Sequence, residues 1–404
     1  MPRKTKMPSV QFFYFEDFGS SPAGHVYDED DVARPDSRAP LAVATRAQAR
    51  TPWFRQLHAP ADAMHHSVAT VPLAVTAGML YARAAAASIR PGPCRLFAFA
   101  PVLALLLALP FSVPHHGARC LAAFFLVWLG EFKLLLLAFG RGPLDPALRH
   151  LPFVFTAALP VKLRRSSRSQ PADAAVATAG TVALPLLSSG VKVAVMAFAI
   201  RLLSRSKDTM HPYAASALFG VVMYCILDSL LPCLAVAGRA LGMEMEPQFD
   251  RPYLSASLGD FWGRRWNLMA SAVLRAAAYD PVRARLGAPA GVLAAFLVSG
   301  LMHEVVIYYL TFRAPTGRVM AFFALHGASV CAERWCARRC AGARPPRVVA
   351  TALVVGFVAG TAFWLFFPAI FGDGMDDIYF AENAALAASL LDSRAWWLRL
   401  VGLV

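Results

Sequence analysis

From Ser67 onward the chain alternates long apolar runs with short polar breaks. About twenty apolar residues in a helix, rising 1.5 Å each, match the ~30 Å hydrocarbon core of a bilayer. The pattern predicts spans at Ser67–Ala87, Leu96–Val113, Leu121–Phe139, Leu148–Val161, Thr181–Leu203, Ala214–Ala237, Gly291–Phe312, Met320–Cys336 and Val348–Phe371. Leu148–Val161 is short for a crossing and is expected to be re-entrant or packed inside the bundle. The fold class is therefore all-α, a polytopic membrane helix bundle of about eight spans with interfacial amphipathic helices.

One long window breaks the apolar pattern, residues 248–283, with its mix of Trp, Arg, Asp and Asn. Read as one helix from Leu258 to Tyr279, it separates into two stripes. Leu258, Trp262, Trp266, Met269, Val273 and Ala277 share one face, and Asp260, Arg264, Asn267, Ser271 and Arg275 the other. Such a helix is expected to lie in a membrane interface, with Arg265 at the edge of the apolar stripe. The plainer alternative is a solvated connector. Ala384–Val404, with Trp396 and Trp397, reads as a second interfacial segment.

Residues 1–63 differ from the rest. They are rich in Arg, Asp, Pro and Ala, hold the acidic run Asp28–Asp31 and show no period. They are expected to be a disordered extension or a start-site artefact, which leaves one membrane domain at 64–404.

Composition strengthens the membrane reading. Hydrophobic residues make up 57% and charged ones 16%, against roughly a quarter charged in soluble domains. The formal charge of +14 raises the question of nucleic acid. Its arginines, however, cluster beside apolar runs (Arg164, Arg165, Arg168; Arg334, Arg338, Arg339), as at cytoplasmic membrane edges. Membrane lipids and a soluble anion are the expected partners, and nucleic acid the weaker reading. If Gly291–Phe312 and Met320–Cys336 form an antiparallel pair, residues 248–283 and the basic segment 338–347 share the cytosolic side. Seven cysteines, mostly within apolar runs and without a CxxC pair, indicate neither zinc nor a disulfide framework.

Candidate chemistry lies within the spans. Glu131 and Lys133 point to different faces, and Lys192 and Asp228 read as isolated; anchoring, with snorkelling lysines, is the expected role. His303 and Glu304 sit mid-span, where a charge costs about 2.5–3.5 kcal/mol. An intramembrane His can serve helix–helix hydrogen bonding or proton transfer. Ser299 and Gly300 keep its face small and leave room for a substrate chain, whereas Glu304 is expected to pair with another span. A zinc protease reading fails, because the second His would fall at Ile307. No P-loop, dinucleotide fingerprint or nucleophile elbow appears.

Together, Glu246-Pro247-Gln248-Phe249, Arg251-Pro252-Tyr253-Leu254, DFWGRRWN at Asp260–Asn267, Tyr279-Asp280-Pro281, SGLMHE at Ser299–Glu304, LHG at Leu325–Gly327 and WLFFP at Trp364–Pro368 resemble the signature of plant wax synthases. These are a branch of the membrane-bound O-acyltransferases. WLGEFKLLLLAFGRGPL at Trp128–Leu144 is similar too, and the resemblance runs from about Ser67 to the C-terminus.

The resemblance implies transfer of a fatty acyl group from acyl-CoA to a hydroxyl at the endoplasmic reticulum. The acceptor is a long-chain alcohol or, as in sterol-acylating relatives, a sterol. His303 matches the family's catalytic residue and Asn267 the Asn of its upstream motif. His303 is expected to act as general base and Asn267 as an oxyanion donor, an orienting group or, structurally, a partner of backbone groups at a bend. Trp262, Arg264, Arg265, Trp266, Arg275, Ser299 and Gly300 are the expected substrate-binding residues, the arginines for the CoA phosphates or for headgroups. No cofactor is expected, since acyl-CoA is a co-substrate, and the sequence names no protein partner. A transporter, or an inactive lipid-binding homologue, remains as an alternative of another class.

Overall fold

The computed structural model describes residues 61–161, 179–240, 248–339 and 345–385, with positions 243, 246 and 388. The expectations for residues 1–60 and 389–404, and for the Arg164–Arg168 cluster, fall outside these ranges. Every regular element among the described residues is helical, as the apolar pattern predicts.

The first half comprises α1 (Ala61–Ser88), α2 (Pro93–Ala108), α3 (His116–Ala138), the short α4 (His150–Ala158), α5 (Ala179–Ser206) and α6 (Pro212–Ala240). The α4 helix is packed inside, with Phe153, Val154, Thr156, Ala157 and Ala158 buried. After the polar segment come α7 (258–265), α8 (268–286), α9 (288–311), α10 (Arg318–Arg339), α11 (Arg347–Phe371) and α12 (375–385). Five stretches are long and apolar enough to cross a membrane. Another three helices, α1, α5 and α10, have 28, 28 and 22 residues.

One of the five apolar stretches, Leu268–Thr311, is 44 residues long. A straight helix of that length would measure about 66 Å, twice the hydrocarbon thickness. It does not run straight. Gly287 adopts φ 85°, ψ 172°, a left-handed excursion that glycine makes without Cβ strain, and α9 folds back along α8. Close approach is enforced at Gly291, where a Cβ would lie 2.9 Å from the Tyr279 carbonyl oxygen and 3.0 Å from Arg283 Cβ. Deeper along the hairpin, Met269 and Val273 of α8 share one core cluster with Met302 and Val306 of α9 and Trp128 of α3.

This overturns the single interfacial helix expected over Leu258–Tyr279. Asn267 is left-handed (φ 43°, ψ 69°), so the chain breaks between α7 and α8 and the two stripes never align. Met269 and Val273 are fully buried. Trp262 and Trp266 pack into an aromatic cluster with Phe261 and Phe296.

The α9–α10 hairpin is held at both ends. Glu304 is buried and its Oε1 accepts from the backbone N–H groups of Val319 and Met320, each at 3.1 Å. A carboxylate there also meets the positive end of the α10 dipole. Further along, Glu333 accepts from the Leu258 and Gly259 N–H groups at 2.9 and 3.0 Å and ties α7 to α10. Small residues bring the helices together. A Cβ on Gly300 would meet Met320 Sδ at 2.9 Å, and one on Gly327 would meet Phe296 Cβ at 2.9 Å.

The polar residues inside the bundle are better partnered than their sequence positions suggest. Lys133 does not snorkel: it is fully buried, and its Nζ donates to the carbonyls of Thr156 and Leu159 at the end of α4, at 2.7 and 2.6 Å. Lys192 and Asp228 are not isolated but form a 2.7 Å ion pair between α5 and α6.

Two ends of the bundle differ in charge. At one, Lys207 pairs with Asp376 and Asp377, Arg313 with Asp373, and His116 with Glu382. Arg119, 1% exposed, fills this end by donating to the carbonyls of Val113, Pro114, Tyr309 and Leu310. The opposite end carries Arg264, Arg275, Arg283, Arg285, Arg334, Arg338 and Arg339, all exposed.

Candidate active site

The His303 ring projects from α9 into the bundle, away from the exposed stripe formed by Leu297, Leu301 and Tyr308. It is enclosed by aromatic rings. Phe323 of α10 stacks on it at 4.3 Å and 28°, Trp128 of α3 meets it at 4.6 Å and 70°, and Phe366 of α11 at 5.8 Å and 69°. Trp128 and Phe366 both sit on π-helical stretches, Ala123–Gly130 and Ala362–Phe366. Widened turns of this kind turn side chains off the ordinary helical register and occur often at functional sites.

One hydrogen bond decides what this ring can do. Nδ1 lies 2.7 Å from the Ser299 carbonyl oxygen one turn earlier. A carbonyl only accepts, so Nδ1 carries the proton of the neutral ring and Nε2 holds the free lone pair. The ring remains partly exposed. Its tautomer and tilt are thus fixed by its own helix and by Phe323, while Nε2 stays open as a proton acceptor.

Asn267 stands at the break between α7 and α8. Its Oδ1 accepts from the Ala270 N–H at 3.2 Å and caps α8, so half of its amide serves the bend. Asn267 and His303 are joined by no hydrogen bond or ring contact among the described residues. They flank Met269 and Met302, which belong to the same core cluster. The α7–α8 junction is set by Gln248, whose backbone and side-chain oxygens accept from the N–H groups of Leu268 and Met269.

The remaining expected residues separate into three groups. Ser299 and Gly300 are buried, and Met320 and Phe323 lie close against Gly300. Trp262 and Trp266 are walls. Trp262 Nε1–H donates to His326 Nδ1 at 3.0 Å, and His326 Nε2 lies 2.9 Å from Thr361 Oγ1, which bonds back to the Phe357 carbonyl at 2.7 Å. That chain links α7, α10 and α11, and its central His326 is fully buried. His326 was legible only as part of the LHG motif, because both of its partners are more than thirty residues away.

Among the arginines, Arg265 is engaged internally, with Nε 2.7 Å from Asp260 Oδ2 and Nη1 3.0 Å from the Asp250 carbonyl oxygen. The hydrogen bond to Asp260 raises its pKa further above the ordinary guanidinium value. Arg264 is exposed beside the same carboxylate at 3.4 Å, and Arg275 is exposed with its guanidinium 5.3 Å from the Tyr279 ring centroid. Two buried polar atoms on α3 have no hydrogen-bond partner among the described residues, Trp128 Nε1 and Glu131 Oε1.

Comparison with known proteins agrees with this arrangement. The family model for "Membrane bound O-acyl transferase family" matches residues 245–325, from the segment before α7 into α10. A long-chain-alcohol O-fatty-acyltransferase of Simmondsia chinensis is 38% identical over 299 residues, 70% of this chain and 84% of that protein. A probable long-chain-alcohol O-fatty-acyltransferase 1 of Arabidopsis thaliana is 38% identical over 286 residues, 68% and 82% of the two chains. An acyl-CoA–sterol O-acyltransferase 1 of the same plant is 33% identical over 313 residues, 74% and 89% of the two. With helices as the regular elements of its described residues, a histidine at the middle of an apolar helix inside the matched segment and this identity over most of its length, the chain belongs to the membrane-bound O-acyltransferase family and is an acyltransferase.

Proposed function

We propose that the protein transfers a fatty acyl group from acyl-CoA to the hydroxyl of a long-chain alcohol, forming a wax ester in the endoplasmic reticulum membrane, with His303 as general base. The observation that carries this reading is the His303 Nδ1 bond to Ser299, which leaves Nε2 as an acceptor inside the bundle. The alcohol oxygen attacks the thioester carbonyl while Nε2 takes its proton. Collapse of the tetrahedral species breaks the C–S bond, and the leaving thiolate regains the proton from the imidazolium. The thioester is already activated, so this chemistry asks for no metal or cofactor.

Acyl-CoA is anionic at one end and apolar at the other. The exposed Arg264 and Arg275 at the basic end are suited to its phosphates, and the aromatic surroundings of His303 to a water-poor reaction. Asn267 Nδ2, the half of the amide not engaged in the cap, is the group left to assist.

A sterol acceptor is the second reading, favoured by the likeness to the sterol acyltransferase. Microsomes containing the protein, given acyl-CoA with a fatty alcohol and a sterol in competition, decide between the two by mass spectrometry of the esters. Wax ester is expected to dominate. Sterol ester as the main product would replace the acceptor, and absence of both would overturn the reading.

A further inference from the structure

Trp128 is 1% exposed, yet its indole Nε1–H has no hydrogen-bond partner among the described residues. Leaving a buried donor unpaired costs about 1–3 kcal/mol. A phenylalanine would supply an aromatic ring without that cost, as Phe124 and Phe125 do one turn earlier. What tryptophan adds at this position is the N–H.

Its placement gives that N–H a use. The indole stands 4.6 Å from the His303 ring, centroid to centroid, at an interplanar angle of 70°. It is carried by the π-helical stretch Ala123–Gly130 and backed edge-on by Phe124 at 5.0 Å, so its surroundings are apolar. A donor in such surroundings acts on a developing charge far more strongly than one in water. Asn267, the other donor expected near this centre, has its amide oxygen tied into the α8 cap.

We infer that Trp128 is a further catalytic residue, donating its indole N–H to the thioester oxygen as that oxygen becomes an oxyanion. The inference rests on the reaction proposed above. As the alcohol oxygen bonds to the carbonyl carbon, the C=O electron pair moves onto oxygen and the hydroxyl proton onto His303 Nε2. The oxyanion then re-forms the carbonyl, the C–S bond breaks, and the thiolate takes the proton from His303. Trp128 keeps its proton throughout. No acceptor among the described residues takes its N–H, so the substrate oxygen displaces no bond seen there.

The experiment is steady-state kinetics of the full-length Trp128→Phe protein in detergent micelles, with acyl-CoA and a long-chain alcohol varied separately. Losing one oxyanion donor lowers kcat by about 10²–10³-fold. That loss is expected here with both KM values and the thermal midpoint unchanged. An unchanged kcat would overturn the inference, as would a loss of kcat accompanied by raised KM values and a lowered midpoint, which marks a packing role. Should the Phe variant fail to accumulate, 3-benzothienylalanine at position 128 keeps the bicyclic ring and replaces N–H by sulfur; it is expected to show the same loss of kcat. His303→Ala in the same assay separates the two readings. Full activity there would remove the base, whereas a slow Trp128→Phe enzyme would still require the N–H.

Discussion

The carboxylate of Glu304 lies 3.1 Å from the backbone nitrogens of both Val319 and Met320, so one residue of α9 holds the start of α10. Its neighbour His303 turns its ring the other way, among Trp128, Phe323 and Phe366. Glu304→Ala would leave two backbone N–H groups without an acceptor, at about 1–3 kcal/mol for each buried group. Thermal unfolding in detergent is expected to show a clear drop for Glu304→Ala and a smaller one for Glu304→Gln, which keeps an acceptor oxygen.

Removing the imidazole tests the proposed base. His303→Ala is expected to reduce turnover by at least about 10²–10⁴-fold, the usual contribution of a positioned acid–base group. Membrane insertion and thermal midpoint should stay near the parent values, because among the described residues the ring's hydrogen bond is to a carbonyl of its own helix. Radiolabelled acyl transfer in microsomes, normalised to protein by immunoblot, is the measurement.

Close packing of α9 on α10 should be sensitive to a single methyl group. A Cβ at Gly327 would lie 2.9 Å from Phe296 Cβ, an atom near the backbone that cannot swing aside. Overpacking of this kind costs about 1–3 kcal/mol. Gly327→Ala is expected to lower the unfolding temperature. Gly356→Ala, where nothing lies within 4 Å of the new methyl, should leave it unchanged.

At the less basic end, Glu382 accepts from the His116 backbone N–H at 3.0 Å and lies 2.5 Å from its Nδ1. Burial pushes this carboxyl upward, but the hydrogen bonds from His116 and the nearby His115 and His116 charges outweigh it and hold the pKa below the ordinary 4.5. A carboxyl depressed on folding stabilises the folded state above its ordinary pKa and loses that contribution as pH falls through the lowered value. Limited proteolysis between about pH 6 and pH 3 should therefore show α12 loosening below about 4.5. Glu382→Gln should weaken that pH dependence, the remainder belonging to Asp376 and Asp377 of the same helix, which pair with Lys207.

Much of the architecture was legible because apolar periodicity reports burial directly. The helical class, the short α4 and the intramembrane His303 all follow from it. The window 248–283 was misjudged for a definite reason: a wheel drawn through Asn267 assumes that φ stays helical, and there φ is 43°. Asn tolerates the left-handed region, and with Gln248 holding the next two N–H groups the break is stable. Gly287, with Pro289 close behind, was the local signal of the α8–α9 reversal.

Partners distant in sequence were beyond any local reading. Lys192 meets Asp228, Lys133 meets the end of α4, and Trp262 meets His326, each through tertiary packing alone. Arg265 shows the converse. Its charge suggested a substrate anion, and the partner that the fold shows is the nearby Asp260.

The Gly287 reversal also bears on how members of this family can be recombined. Because α8 and α9 press on each other at Gly291 and share a core cluster through Met269 and Met302, their side chains are matched as a unit. A chimaera seeking a new acceptor should transplant residues 248–326 as one cassette, since a crossover between the two arms would pair mismatched surfaces beside His303.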